Sequence, residues 1–253
     1  MSSGQEVNVK IKILSLALIC VAAAASATTW FPDEVECPLC GKTNEFQVVG
    51  SYGTYIYNWP SKYELIFWPD TESQTLYSCE KCKYTCFSYD FRDPPEDKLD
   101  ALREAAKEVE FAGKYKDYDD IPIMDRLAAA ERIYRVMYPD DTDFWCRFYR
   151  IVGYHAANYG LTDEAAEARR RALDVAEGMM EDESRAGEHK QFLYITGAMR
   201  YLLDDKEGAR ADFEAAQELT FEHADLEAER NQGYDEYLST LLEDYLAKLD
   251  GNE

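Results

Sequence analysis

Three hydrophobic patterns follow one another along the chain. Ile13 to Ala25 is an almost unbroken apolar run. From about residue 30 to residue 92 the apolar positions come in short bursts rich in aromatic and β-branched side chains. Gln47-Val48-Val49, Thr54-Tyr55-Ile56-Tyr57, Tyr63 to Phe67 and Thr75-Leu76-Tyr77 read as strands, with Gly50, Gly53, Asn58, Pro60, Ser61, Pro69 and Asp70 as turns between them. Asp93-Pro94-Pro95 marks a boundary, because proline disfavours helix before it and suits a helix start after it.

From Glu96 onward the apolar spacing is helical. Leu99, Leu102, Ala106 and Val109 lie on one helix face, which Gly113 is expected to cap in the left-handed conformation. Further helices are expected over Met124 to Tyr138, Phe144 to Tyr159, Asp163 to Met180, Lys190 to Leu203, Lys206 to Leu219 and Leu226 to Leu249. Ala165 and Ala172 recur as Ala209 and Ala216, an offset of 44 at both positions, and Leu127 to Tyr134 matches loosely at 38. Small residues seven apart let two helices approach closely. The pairs resemble tetratricopeptide repeats with lengthened turns. Stacked pairs leave a groove lined by the first helix of each pair, and Tyr154, Asn158, Gln191 and Tyr194 are the residues expected to face a bound segment there. The fold class predicted is α+β: a β-rich module over 28–95, then an all-α repeat region over 96–253.

The opening apolar run is read as a signal peptide over 1–27. Lys10 and Lys12 precede it and Ala25-Ser26-Ala27 supplies the small-x-small cleavage pattern, so the mature chain would begin at Thr28. The run is shorter than the roughly 20 apolar residues of a membrane span, and no later stretch approaches that length. The expectation is an exported protein, periplasmic or secreted, with no span after cleavage. Charge narrows the partners. With 50 acidic and 27 basic residues the net charge is −23, which disfavours nucleic acid and favours a basic protein or peptide.

The chemistry lies in the cysteines. Cys37-Pro38-Leu39-Cys40-Gly41 and Cys79-Glu80-Lys81-Cys82 are two CxxC knuckles separated by 38 residues. A CxxC turn delivers two thiolates from one loop, and two such turns complete a tetrahedral zinc site. Cys37, Cys40, Cys79 and Cys82 are the expected ligands of one zinc ion in a zinc-ribbon-like module, with Cys86 as an alternative ligand. Two other readings exist. Export favours disulfides. A thiol–disulfide oxidoreductase would use Cys37 and Cys40, although that chemistry needs a helix N-terminus behind the motif, and Gly41 to Asn44 leads into a strand-like run. Cys146 reads as a core residue, and His155, His189 and His223 share no ligand spacing.

The run from Cys37 to Phe91 resembles the bacterial domain of unknown function family 2225. The matching residues are Cys37, Pro38, Cys40 and Gly41, then Leu76 to Cys79, Cys82, Tyr84 and Asp90-Phe91. The family usually has Gly after its second knuckle, where this chain has Lys83, and Cys86 is an addition. The resemblance implies a tetratricopeptide-like helical region to follow and names no reaction. The function expected from all this is that of a non-enzymatic, zinc-stapled scaffold for binding a protein or peptide.

Overall fold

A computed structural model describes residues 29–51, 61–66 and 74–251. The signal peptide expected over 1–27 and the strand expected at Thr54 to Tyr57 lie outside these residues. The layout is α+β: two small antiparallel sheets, then a succession of helices. No helix among the described residues is long and apolar enough to cross a membrane.

Strands β1 (Thr29–Glu36) and β2 (Thr43–Ser51) form one hairpin, in register from Trp30 opposite Val49 to Glu36 opposite Thr43. Strands β3 (Leu76–Ser78) and β4 (Thr85–Phe87) form the second, with Ser78 opposite Thr85. The hairpins meet through aromatic rings. Phe46 of β2 stacks on Tyr77 of β3 with centroids 4.0 Å apart, and the rings of Phe91 and Tyr118 stand edge-on to Phe46.

Besides a single turn over Ser88–Phe91, the helices are α1 (Leu99–Lys107), α2 (Ile123–Met137), α3 (Thr142–Asn158), α4 (Thr162–Met179), α5 (His189–Leu202), α6 (Lys206–Gln217) and α7 (Ala228–Leu249). Each lies within a few residues of its expected place. Gly113 is not the cap of α1: the helix ends at Lys107 with Glu108 still right-handed, and Gly113 is absent from the left-handed residues. Helix α2 covers β3 and β4. From α2, Tyr134 donates to Asp90 at 2.7 Å and accepts from the Phe87 amide, and Tyr138 donates to Asp90 at 2.6 Å. Buried residues form one continuous core from Val35 to Tyr245, so the sheets and helices are welded together.

Helices α3 and α4 pack as one antiparallel pair and α5 and α6 as another. The 44-residue offset is physical. Gly160 and Asp204 close the two turns in the left-handed region, at φ 72° and 67°. The amide of Leu161 bonds the Ala156 carbonyl, and that of Asp205 bonds the Arg200 carbonyl, both at 2.9 Å. Ala165, Ala172, Ala209 and Ala216 are all buried at the pair contacts. Gly153 and Gly197 are repeat partners too. A Cβ on Gly153 would stand 3.1 Å from the Arg169 side chain, and one on Gly197 would stand 2.5 Å from the Phe213 ring. Arg169 therefore occupies the place in the first pair that an aromatic ring fills in the second.

The segment Ser61–Ile66 is a hydrogen-bonded turn, which corrects the strand expected from Tyr63 as far as Ile66; Phe67 lies outside the described residues. Ile66 donates to the Ser61 carbonyl at 2.9 Å, and Leu65 has φ 53°. The turn is seated against α3, α4, α5 and α7. Its backbone carbonyls find helix side chains in place of a neighbouring strand, and that overrides its β-like composition.

Candidate metal centre

Each knuckle is the loop of a hairpin. Residues 37–42 join β1 to β2, and residues 79–84 join β3 to β4. The two loops share one hydrogen-bond scheme. Gly41 donates to the Cys37 carbonyl at 2.9 Å and Cys37 to that of Lys42 at 2.9 Å; Lys83 donates to the Cys79 carbonyl at 2.8 Å and Cys79 to that of Tyr84 at 2.9 Å. Gly41 at φ 69° and Lys83 at φ 62° both take the left-handed conformation that closes the loop. Lys83 thus performs the backbone role of glycine without glycine's freedom. Its Nζ donates to the Val109 carbonyl at 2.6 Å just past the end of α1, which anchors the strained residue.

Gly41→Ala is therefore expected to cost about 1 kcal/mol, a backbone penalty alone, because the nearest atom to an added Cβ is 3.6 Å away. Lys83→Gly is expected to leave stability within about 1 kcal/mol of the parent, since relief of strain offsets the lost Val109 bond. Denaturant melts of the two variants check this pair of outcomes.

The hairpins bring the four sulfurs of Cys37, Cys40, Cys79 and Cys82 within 4.8 Å of one another. Two pairs across the knuckles, Cys37 with Cys82 and Cys40 with Cys79, are 3.6 Å apart. Bonds of about 2.3 Å to a tetrahedral ion set sulfurs about 3.8 Å apart, so the cluster has the size to hold one metal ion. Among the described residues no other group of three or more cysteines, histidines and carboxylates is so placed. Cys86 lies outside the cluster, fully buried in β4 opposite Tyr77, with burial pushing its thiol well up.

Electrostatics favour a cation at this point. Hydrogen bonds from Cys37 and Cys82 hold the Cys79 thiol far below its ordinary value. The hydrogen bond to Cys79 pushes Cys37 up to about 12, and those to Cys37 and Cys79 raise Cys82. Cys37, Cys79 and Cys82 share their protons rather than all ionising, and a divalent ion would draw the set toward thiolates. Lys81, Lys83, Arg103 and Lys107 line the hollow over Cys40 and Cys82, a local positive rim on a chain of net charge −23. Arg103 donates to the Leu39 carbonyl at 3.1 Å. These cations offset the charge that four thiolates would carry around a divalent ion.

Sequence reasoning missed Asn44. It is buried in β2, donates to the Lys42 carbonyl at 2.9 Å and accepts from the Glu80 amide at 3.1 Å, so one side chain ties the two knuckles together. An asparagine four residues after Cys40 is its only trace in the sequence.

The groove residues expected from periodicity are divided. Asn158 is exposed at the end of α3, Tyr154 and Gln191 are half-buried, and Tyr194 is fully buried. Tyr194 does not face an open surface: its hydroxyl donates to the Tyr63 carbonyl at 2.8 Å. The acidic clusters have structural roles. Asp141 caps α3 through the Phe144 amide, Asp117 and Asp120 form a reciprocal cap, and Asp143 takes a bidentate bond from Arg185. Cys146 is buried in the core, as expected.

Comparisons with family models, with curated proteins and with solved structures gave no match to this chain.

Proposed function

We propose that the chain is an exported, non-enzymatic protein stapled by one zinc ion, with a tetratricopeptide-like helical half that binds a protein or peptide segment. The observation that carries this reading is the convergence of four sulfurs from two matched hairpin loops. Zinc suits an all-thiolate tetrahedral set with no open position, which is the form of a structural rather than a catalytic site. The knuckle at Cys37 runs into strand β2 and not into a helix N-terminus, so Cys37 and Cys40 lack the helix-end activation of an oxidoreductase motif. Lys10, Lys12, the apolar run and Ala25-Ser26-Ala27 support export, to the periplasm or beyond the cell. The resemblance of Cys37 to Phe91 to domain of unknown function family 2225 agrees with a paired-CxxC module ahead of helices. The net charge of −23 would draw a basic partner to the outer surface, faster at low salt.

Elemental analysis of the native protein tests the reading, with one zinc per chain expected and an N-terminus at Thr28. Absence of zinc, together with mapped disulfides inside the knuckles, would overturn it.

A further inference from the structure

The groove formed by α3, α4, α5 and α7 is already filled by the chain itself. Glu64 is 1% exposed at its centre. Arg169 of α4 places Nε and Nη2 each 3.1 Å from one carboxylate oxygen, Oε1. Arg150 of α3 donates to the Glu64 carbonyl at 2.8 Å, and Tyr194 of α5 donates to the Tyr63 carbonyl at 2.8 Å. Arg150 and Tyr194 are 44 residues apart, so equivalent positions in successive helix pairs read successive carbonyls of the seated turn. The Tyr63 ring stands edge-on to Tyr245 of α7 at 4.8 Å, and its hydroxyl donates to Asp244. Side-chain and backbone recognition repeat with the scaffold. That is the arrangement of a binding groove with a ligand in it.

The occupant is held at a cost. Leu65 sits in the left-handed region at φ 53°, which is unfavourable for a branched side chain. The second carboxylate oxygen of Glu64, Oε2, is buried with no hydrogen-bond partner. Any glutamate in this pocket would bear the unpaired oxygen, but a segment with the same anchors and a relaxed backbone at the Leu65 position would bind better than the one that is there.

We propose that this groove is a receptor site for a turn-forming segment that presents an aromatic residue followed by glutamate, and that Ser61–Ile66 is a built-in occupant which such a partner displaces. The proposal rests on the helical half being a binding scaffold and names what it binds. The anchor is a carboxyl group, although the chain as a whole is strongly acidic, because Arg169 meets its oxygen and Arg150 the carbonyl beside it.

The test uses a fluorescent, capped peptide spanning 58–69 and the full chain. The Tyr63→Ala/Glu64→Ala variant weakens the internal occupant, and it is expected to bind the peptide at least tenfold more tightly than the parent. A peptide with Ala in place of Glu64 should lose at least tenfold on that variant, and adding Arg169→Ala should abolish binding. A folded, zinc-loaded variant that ignores the peptide, or takes the Glu and Ala peptides equally, overturns the proposal while the zinc-stapled scaffold stands. If the double variant does not fold, hydrogen exchange on the parent gives the answer. Excess peptide should speed exchange of the Leu65 and Ile66 amides, and unchanged exchange at saturating peptide overturns the proposal. Lack of zinc would instead strike the earlier reading and leave the peptide titration interpretable.

Discussion

Cys79→Ser is expected to abolish stoichiometric zinc binding and to lower stability by at least about 4 kcal/mol, roughly 10 °C in melting temperature for a chain of this size. Cys79 is the buried start of the second knuckle, and its amide bonds the Tyr84 carbonyl across the loop. A hydroxyl at this position neither ionises nor ligates zinc as a thiolate does. The effect should be uneven. The β1–β2 and β3–β4 hairpins are short and depend on the knuckles for their closure, whereas α5, α6 and α7 pack on one another. Hydrogen exchange should therefore rise over 29–51 and 76–91 while far-UV circular dichroism keeps most of its helical signal. A chelator added to the parent protein should reproduce the pattern. A Cys79→Ser protein that retains zinc and melts with the parent would remove the metal staple from the account.

The parts of the fold legible in the sequence are those whose causes are local. The repeat could be read because Ala165, Ala172, Ala209 and Ala216 are small for a local reason, close helix contact, and it returned in detail in the turns at Gly160 and Asp204. The four-cysteine cluster could be read because two CxxC loops, each between short strands, point to one shared site. Strand β1 could not. Its sequence from Trp30 to Glu36 contains Pro32, Asp33, Glu34 and Glu36, and most of its side chains are exposed, so no alternation marked it. Lys83 looked like a departure from a glycine position, yet the loop imposes the left-handed conformation and a bond to Val109 anchors it. Glu64 was the least legible residue. It lay in an apolar burst that read as a strand, and the arginines that make its burial tolerable are 86 and 105 residues away. Periodicity places Tyr194 on the face expected to meet a bound segment. Its hydroxyl does meet one, but the segment belongs to the same chain.

Arg169→Ala is expected to destabilise the protein by about 3–5 kcal/mol at pH 8, because it leaves a buried carboxylate without its guanidinium. The Arg169 side chain is 10% exposed and that of Glu64 is 0% exposed, so little solvent screening softens the loss. Burial pushes the Glu64 carboxyl from its ordinary 4.5 up to about 7, against the pull of Arg169 and Arg150. Arg150 of α3, Arg169 of α4 and Tyr245 of α7 are the titratable groups that bear on it. The folded state therefore holds this proton more tightly than the unfolded chain does. The resulting stability is complete below 4.5 and is lost as the pH rises through 7, up to about 3 kcal/mol in all. Glu64→Gln removes the titration, so the parent should lose stability relative to that variant across the same window. At pH 5 the carboxyl is already protonated, and Arg169→Ala should cost about 1 kcal/mol less than at pH 8, one pH unit beyond the folded value. Urea melts of parent, Glu64→Gln and Arg169→Ala at pH 5 and pH 8 measure all of these differences. Equal costs of Arg169→Ala at both pH values, with parallel pH slopes for parent and Glu64→Gln, would mean that the groove holds Glu64 without regard to its charge.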